Sequence, residues 1–148
     1  MKKTFLRSSA INTDFGLLLI RLAIGVLMAF YGLHKLQHFN EMASSDFWMK
    51  DVNLFGLTGK VPLALTIFAE LFCSVFLILG LFTRLSLIPL LFCMGFIVVV
   101  ISKFEIVSTG DNGMELNSAF TYFVIYLALF LMGPGKYSVD HFILNKKA

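Results

Sequence analysis

Four apolar runs, residues 15–36, 62–83, 85–101 and 117–133, constrain this chain more than any other feature. As helices rising about 1.5 Å per residue, they reach about 25–33 Å, the thickness of a bilayer's hydrocarbon core. A soluble bundle would keep a polar face at 3.6-residue spacing, and the run LSLIPLLFCMGFIVVVI has almost none. The whole composition agrees, with 58% hydrophobic and 14% charged residues. Backbone polar groups in hydrocarbon must be satisfied internally, so the runs predict helices. The expected fold is all-α: a single polytopic membrane four-helix bundle over residues 1–148, with residues 37–61 as its long outer loop.

The opening MKKTFLR resembles the start of a secretory signal. The run after it is too long for a signal core, carries Arg21 and lacks a small-residue cleavage site, so it is read as an uncleaved first helix. If the N-terminus is cytoplasmic, the inner segments hold Lys2, Lys3, Arg7, Arg84, Lys136, Lys146 and Lys147. The outer ones hold Lys35, Lys50, Lys60 and Lys103. Seven positives against four place both N- and C-termini in the cytoplasm. The net charge of +3 does not point to nucleic acid, because Lys and Arg lie at helix ends rather than along one stripe.

Glu70 is the anomaly in this pattern, an acid inside the second run. An acid at the centre of a membrane helix costs about 2.5–3.5 kcal/mol on insertion scales, so it is expected to face a partner, a cavity or a ligand. In the first run Arg21, Gly25, Met28, Gly32 and Lys35 recur at alternating steps of four and three, one helix face on which the glycines admit a close neighbour. Glu70 is expected about 12 Å below the outer end, with Arg21 below it and His34, Lys35, Lys103 and Glu115 toward the outer side.

The remaining features have more modest readings. Trp48 in the outer loop is expected at the headgroup level, where aromatics flanking a span usually sit; a short helix forming a lid over the bundle is the alternative. Pro89 should kink or loosen the third helix. A turn is expected at residues 110–113. Cys73 and Cys93 fall at similar depth on neighbouring helices, but without a Cys-x-x-Cys pattern they are expected to behave as small apolar residues. No Walker loop, dinucleotide glycine motif, zinc-type spacing or nucleophile elbow occurs, so nucleotide, metal and hydrolytic chemistry have no motif to support them.

The spaced run from Arg21 to Lys35, the pair Ala69-Glu70, LGLFTR at residues 79–84 and the closing GPGKYSVD together resemble the DoxX family of small four-helix membrane proteins. The resemblance covers nearly the whole chain in the family's order. It implies a multi-pass protein of the bacterial inner membrane, from a family named after a subunit of a quinone-linked oxidoreductase. By matching position, it carries over Arg21, Lys35, Glu70, Arg84, Glu115, Ser138 and Asp140 as the family's polar residues. Lys103 stands where many members have a histidine, so no histidine-based role is implied there. Distant relatives act as membrane cargo receptors or assembly chaperones, so the fold does not by itself fix the chemistry.

The leading expectation is a membrane component of a redox or quinone-linked oxidoreductase system. It would bind a quinone or similar lipophilic ligand among Glu70, Lys35, His34, Arg21, Lys103 and Glu115. Lys, His and Glu can donate to quinone carbonyls and supply protons in an apolar slot. Electrons would have to come from a partner subunit, because no cofactor motif is present. The alternative is a non-enzymatic assembly or trafficking factor, with Glu70 pairing with Arg21 or Lys35 as a bolt between helices. Transport by alternating access would require self-association into a homo-oligomer, since four helices without an evident repeat leave little room for it.

Overall fold

The computed structural model describes residues 12–110 and 113–146. Lys2, Lys3, Arg7 and Lys147, which entered the expected orientation, and Asp111 and Asn112 of the expected turn lie outside the described residues. Among the described residues, three helices are long and apolar enough to span a membrane: α1 Thr13–Gln37, α3 Lys60–Leu79 and α4 Thr83–Ile101. A shorter apolar helix, α5 Ser118–Met132, completes the bundle. Between α1 and α3 lie the short α2 Phe39–Ala43 and a π-helical turn, Phe47–Asp51. Strands β1 Val107–Gly110 and β2 Gly113–Leu116 form an antiparallel hairpin where a plain loop is expected, and α6 Val139–Lys146 follows the bundle.

The surface is inverted relative to a soluble bundle. Phe30, Phe72, Leu85, Phe92 and Leu131 are more than half exposed, while Arg21, Glu70, Ser74 and Thr83 are buried. An apolar exterior of this extent needs a nonaqueous surrounding, and the chain is a multi-pass membrane protein. Inside, Leu17, Ile24 and Met28 of α1 pack with Leu77, Leu87, Leu90, Tyr126 and Leu129.

Helix ends follow local chemistry. Asn12 accepts from Phe15 N at 3.0 Å, and Asn117 accepts from Ala119 N at 3.0 Å, so each caps the helix it precedes. Pro62 lies in the first turn of α3, where its missing N–H leaves no bond broken. Gly80 ends α3 in the left-handed conformation, φ 68°. Gly80 N donates to Leu77 O and Leu81 N to Phe76 O, a Schellman pair that satisfies the last carbonyls. α4 continues as an α-helix through Pro89 to Phe96 and turns π-helical over Ile97–Ile101.

The glycine face of α1 packs on α3 in the close manner its spacing suggests. A Cβ on Gly25 would lie 2.6 Å from Ile78 Cγ1, and one on Gly32 would lie 2.7 Å from Leu71 N and 2.9 Å from the Glu70 carbonyl carbon. At Gly32 only hydrogen lets the two backbones meet, and at Gly25 it makes room for the Ile78 side chain.

The loop between α1 and α3 is a packed lid. Trp48 is 6% exposed and packs with Ala43, Val52, Leu63 and Ile67, the arrangement of the lid alternative. Gly59 N donates to Trp48 O at 2.8 Å, tying the lid to the first turn of α3.

Candidate functional site

Glu70 sits in a π-helical turn of α3, Phe68–Cys73, a local insertion that occurs frequently at functional sites. Its side chain is 2% exposed and accepts from Lys35 Nζ through both oxygens, at 2.5 Å to Oε1 and 2.6 Å to Oε2. A charge buried in hydrocarbon thus has a counter-ion and two charge-assisted hydrogen bonds.

This pairing fixes how α1 and α3 are staggered. Lys35 is in the last turn of α1, whereas Glu70 lies ten residues into α3, about 15 Å from its start. With Gly32 packed at Glu70, the end of α1 stops roughly 8 Å short of the start of α3. α2 and the turn carrying Trp48 fill that step. Gly32 is the residue of α1 that lies against Glu70, so Lys35 stands about one turn above the acid, as its sequence position suggests, and its ammonium reaches down to the carboxylate.

A cavity of about 510 Å3 lies beside this pair. Phe47, Trp48, Val52 and Leu54 form its roof; Pro62, Leu65, Thr66, Phe68 and Ala69 form the α3 wall; Pro89, Phe92, Cys93, Phe96, Ile97 and Ile101 form the α4 wall. Among the described residues, Lys35 is the one charged member of the lining. The size falls within the range of small-molecule sites, as does an apolar wall bearing few polar groups.

The other sequence-derived site residues are elsewhere. Arg21, 1% exposed, donates to Pro134 O and, at 2.7 Å, to Tyr137 O, so it secures the closing loop rather than Glu70. On a straight helix it lies about 21 Å from Lys35. His34 is exposed and stacks on His38 with ring centroids 4.5 Å apart. Lys103 is exposed after the end of α4, and Glu115 is exposed on β2, opposite Ser108. The structure brings together Lys35 and Glu70 and leaves His34, Arg21, Lys103 and Glu115 outside the cavity lining. Both cysteines are free: Cys73 is buried in the core and Cys93 lines the cavity.

The family's remaining polar residues gather at the Arg21 end. Asp140 accepts from Phe82 N at 2.7 Å and Thr83 N at 2.8 Å, capping α4 from 57 residues away. Ser138 accepts from His141 N at 3.1 Å and so caps α6. Asp14 accepts from Lys136 N at 3.0 Å. Thr66, four residues before Glu70 and on its side of α3, reaches the lining although sequence reading did not single it out; a polar side chain one turn from the buried acid was the available signal.

The DoxX family model matches residues 16–103, which include the α1 face, Glu70 and the whole of α4. The chain belongs to the DoxX family. A second model, TQO small subunit DoxD, matches residues 60–148 and so covers α3 to α6 with the closing loop that holds Arg21. Neither the curated proteins nor the solved structures give a significant match. In this DoxX protein the two matches overlap on α3 and α4, the walls of the cavity.

Proposed function

We propose that this DoxX protein is the membrane component of a quinone-linked oxidoreductase system in the bacterial inner membrane. Both termini face the cytoplasm, and the cavity beside Lys35 holds a quinone or similar lipophilic ligand. The observation that carries the reading is an apolar cavity of about 510 Å3 with an ammonium on its wall and a buried carboxylate behind it. The match to TQO small subunit DoxD supports the redox setting.

The residues fit such a ligand. An ammonium has three N–H donors, and Glu70 takes two of those of Lys35, leaving one for a ligand carbonyl. Glu70 sets the position of the ammonium, and Lys35 is the proton donor on the cavity wall. Trp48 and Val52, both nearly inaccessible, exclude water from the roof. A quinone supplies the capacity to accept two electrons and two protons. The electrons come from a partner subunit.

Replacing Lys35 and Glu70 together by Met removes both charges without stranding either. Protein purified from native membrane should then retain its fold but lose co-purifying quinone, measured by solvent extraction and chromatography. Wild-type protein without quinone, or a double variant that keeps it, would overturn the assignment.

The closed geometry of the ion pair favours a second reading: an assembly or trafficking factor in which Lys35–Glu70 joins α1 to α3 at Gly32. On that reading Glu70→Gln unfolds in mild detergent and the wild type co-purifies with diverse membrane proteins rather than a ligand. A folded Glu70→Gln variant that has lost only its quinone contradicts it.

A further inference from the structure

The cavity has one side toward water and one toward lipid, and they are built differently. Toward water the lid covers it with Trp48, 6% exposed, and Val52, 4% exposed, while Phe47 beside them is 41% exposed. Toward lipid, Leu65, Phe68 and Phe92 line the cavity and are also 50%, 50% and 54% exposed on the outside of the bundle. They share that exterior with Phe72, Leu85 and Ile88, which are similarly exposed. A residue on both the cavity wall and the lipid-facing surface marks a mouth. This mouth lies between α3 and α4.

We infer that the ligand enters sideways from the bilayer through this mouth, and that it is an amphiphile with one hydrogen-bond-accepting head and one long apolar chain. The inference rests on the reading that a lipophilic molecule occupies the cavity, and it specifies that molecule's shape and route. The head lies under the lid against Lys35, and the chain leaves between Leu65 and Phe68 on one side and Pro89 and Phe92 on the other. From Ile101 to Pro89 the α4 wall runs twelve residues, about 18 Å, which suits an extended chain better than a compact molecule.

The lining chemistry selects the head. Lys35 offers a donor and a positive charge, which disfavours a cationic head. Thr66 Oγ1 already donates to Pro62 O at 2.9 Å, so a head with many hydroxyls would leave its polar atoms without partners. A carbonyl or carboxylate group needs only the Lys35 donor. A prenyl-type quinone and a fatty acid share this chemistry. A water-soluble head without a chain would have to pass the lid, where Trp48 and Val52 are packed beside the exposed Phe47.

The test uses the full chain in lipid vesicles with two photoreactive probes, a long-chain fatty acid and an alkyl quinone, each carrying a diazirine at the tail end. A headless alkyl diazirine is the control. Mass spectrometry should find both headed probes attached at Leu65, Phe68, Pro89 or Phe92, and the Lys35→Met/Glu70→Met protein should show about ten-fold less of this labelling, the loss expected for one charge-assisted hydrogen bond. Headless-probe labelling should not change. Tail labels confined to Phe47, Trp48 or Val52, or a pattern identical to the headless control, would overturn the lateral mouth. Mouth labelling by the fatty acid alone upholds the route and the head chemistry but refutes the quinone. Quenching of Trp48 fluorescence by a tail-less quinone, without mouth labelling by the tailed one, refutes the route and leaves the quinone site intact.

Discussion

At the scale of single residues, Lys35 and Glu70 show how an ionisable pair is accommodated in a lipid-embedded core. Each neutralises the other, so removing one leaves a buried charge without a partner, which typically destabilises by about 3–5 kcal/mol. Glu70→Ala should therefore lower thermal stability in detergent markedly, and Lys35→Met added to it should recover most of the loss. An additive double-variant cycle would show that the two do not interact. Glu70 was legible in the sequence as a buried acid because hydrocarbon does not solvate a carboxylate, so one inside an apolar run has to be sheltered by protein. Its partner was narrowed to Arg21 or Lys35 and no further, since both lie on the same face of the first helix. The choice depends on how far α1 stops short of α3, and periodicity carries no information about the relative heights of two helices.

At the scale of elements, the α1–α3 contact is set by glycine. Gly32→Ala would push a methyl group against the Leu71 amide and the Glu70 carbonyl carbon, both backbone atoms that side-chain rotation cannot move aside. Overpacking of this kind costs about 1–3 kcal/mol. Gly16, with open space around it, is the control: Gly16→Ala should leave the melting temperature unchanged or slightly raised, through the better helix propensity of Ala. Equal effects at the two positions would contradict the close contact. Asp140→Ala removes the acceptor of two amides at the start of α4 and should cost about 0.5–2 kcal/mol, seen as earlier proteolysis of α6 and a lower unfolding midpoint. The four long apolar elements and the small-residue face were readable from spacing. The lid was readable only as one of two alternatives, because its five-residue helix, π-helical turn and buried Trp48 owe their order to packing on Leu63 and Ile67 rather than to any local pattern. The β1–β2 hairpin escaped for a similar reason: two four-residue strands lie in a stretch that otherwise reads as polar loop.

At the scale of the whole molecule, the bundle is closed at opposite ends by different devices, the lid above Lys35 and the C-terminal loop around Arg21. A chain ending after Met132 keeps all four apolar helices yet loses both carbonyls that receive the Arg21 guanidinium and the carboxylate that caps α4. Such a chain should insert but be far less stable, with protease cleavage near residues 80–84 in isolated membranes. Full-length stability in that truncation would show that the closing loop is dispensable. The same arrangement bears on synthesis. Arg21 enters the bilayer with the first helix, and its acceptors at Pro134 and Tyr137 follow 113 and 116 residues later. Until then the first helix carries a cation whose final acceptors have not been made. A chain cut before Pro134 therefore differs from the full one by a buried guanidinium without its carbonyl acceptors.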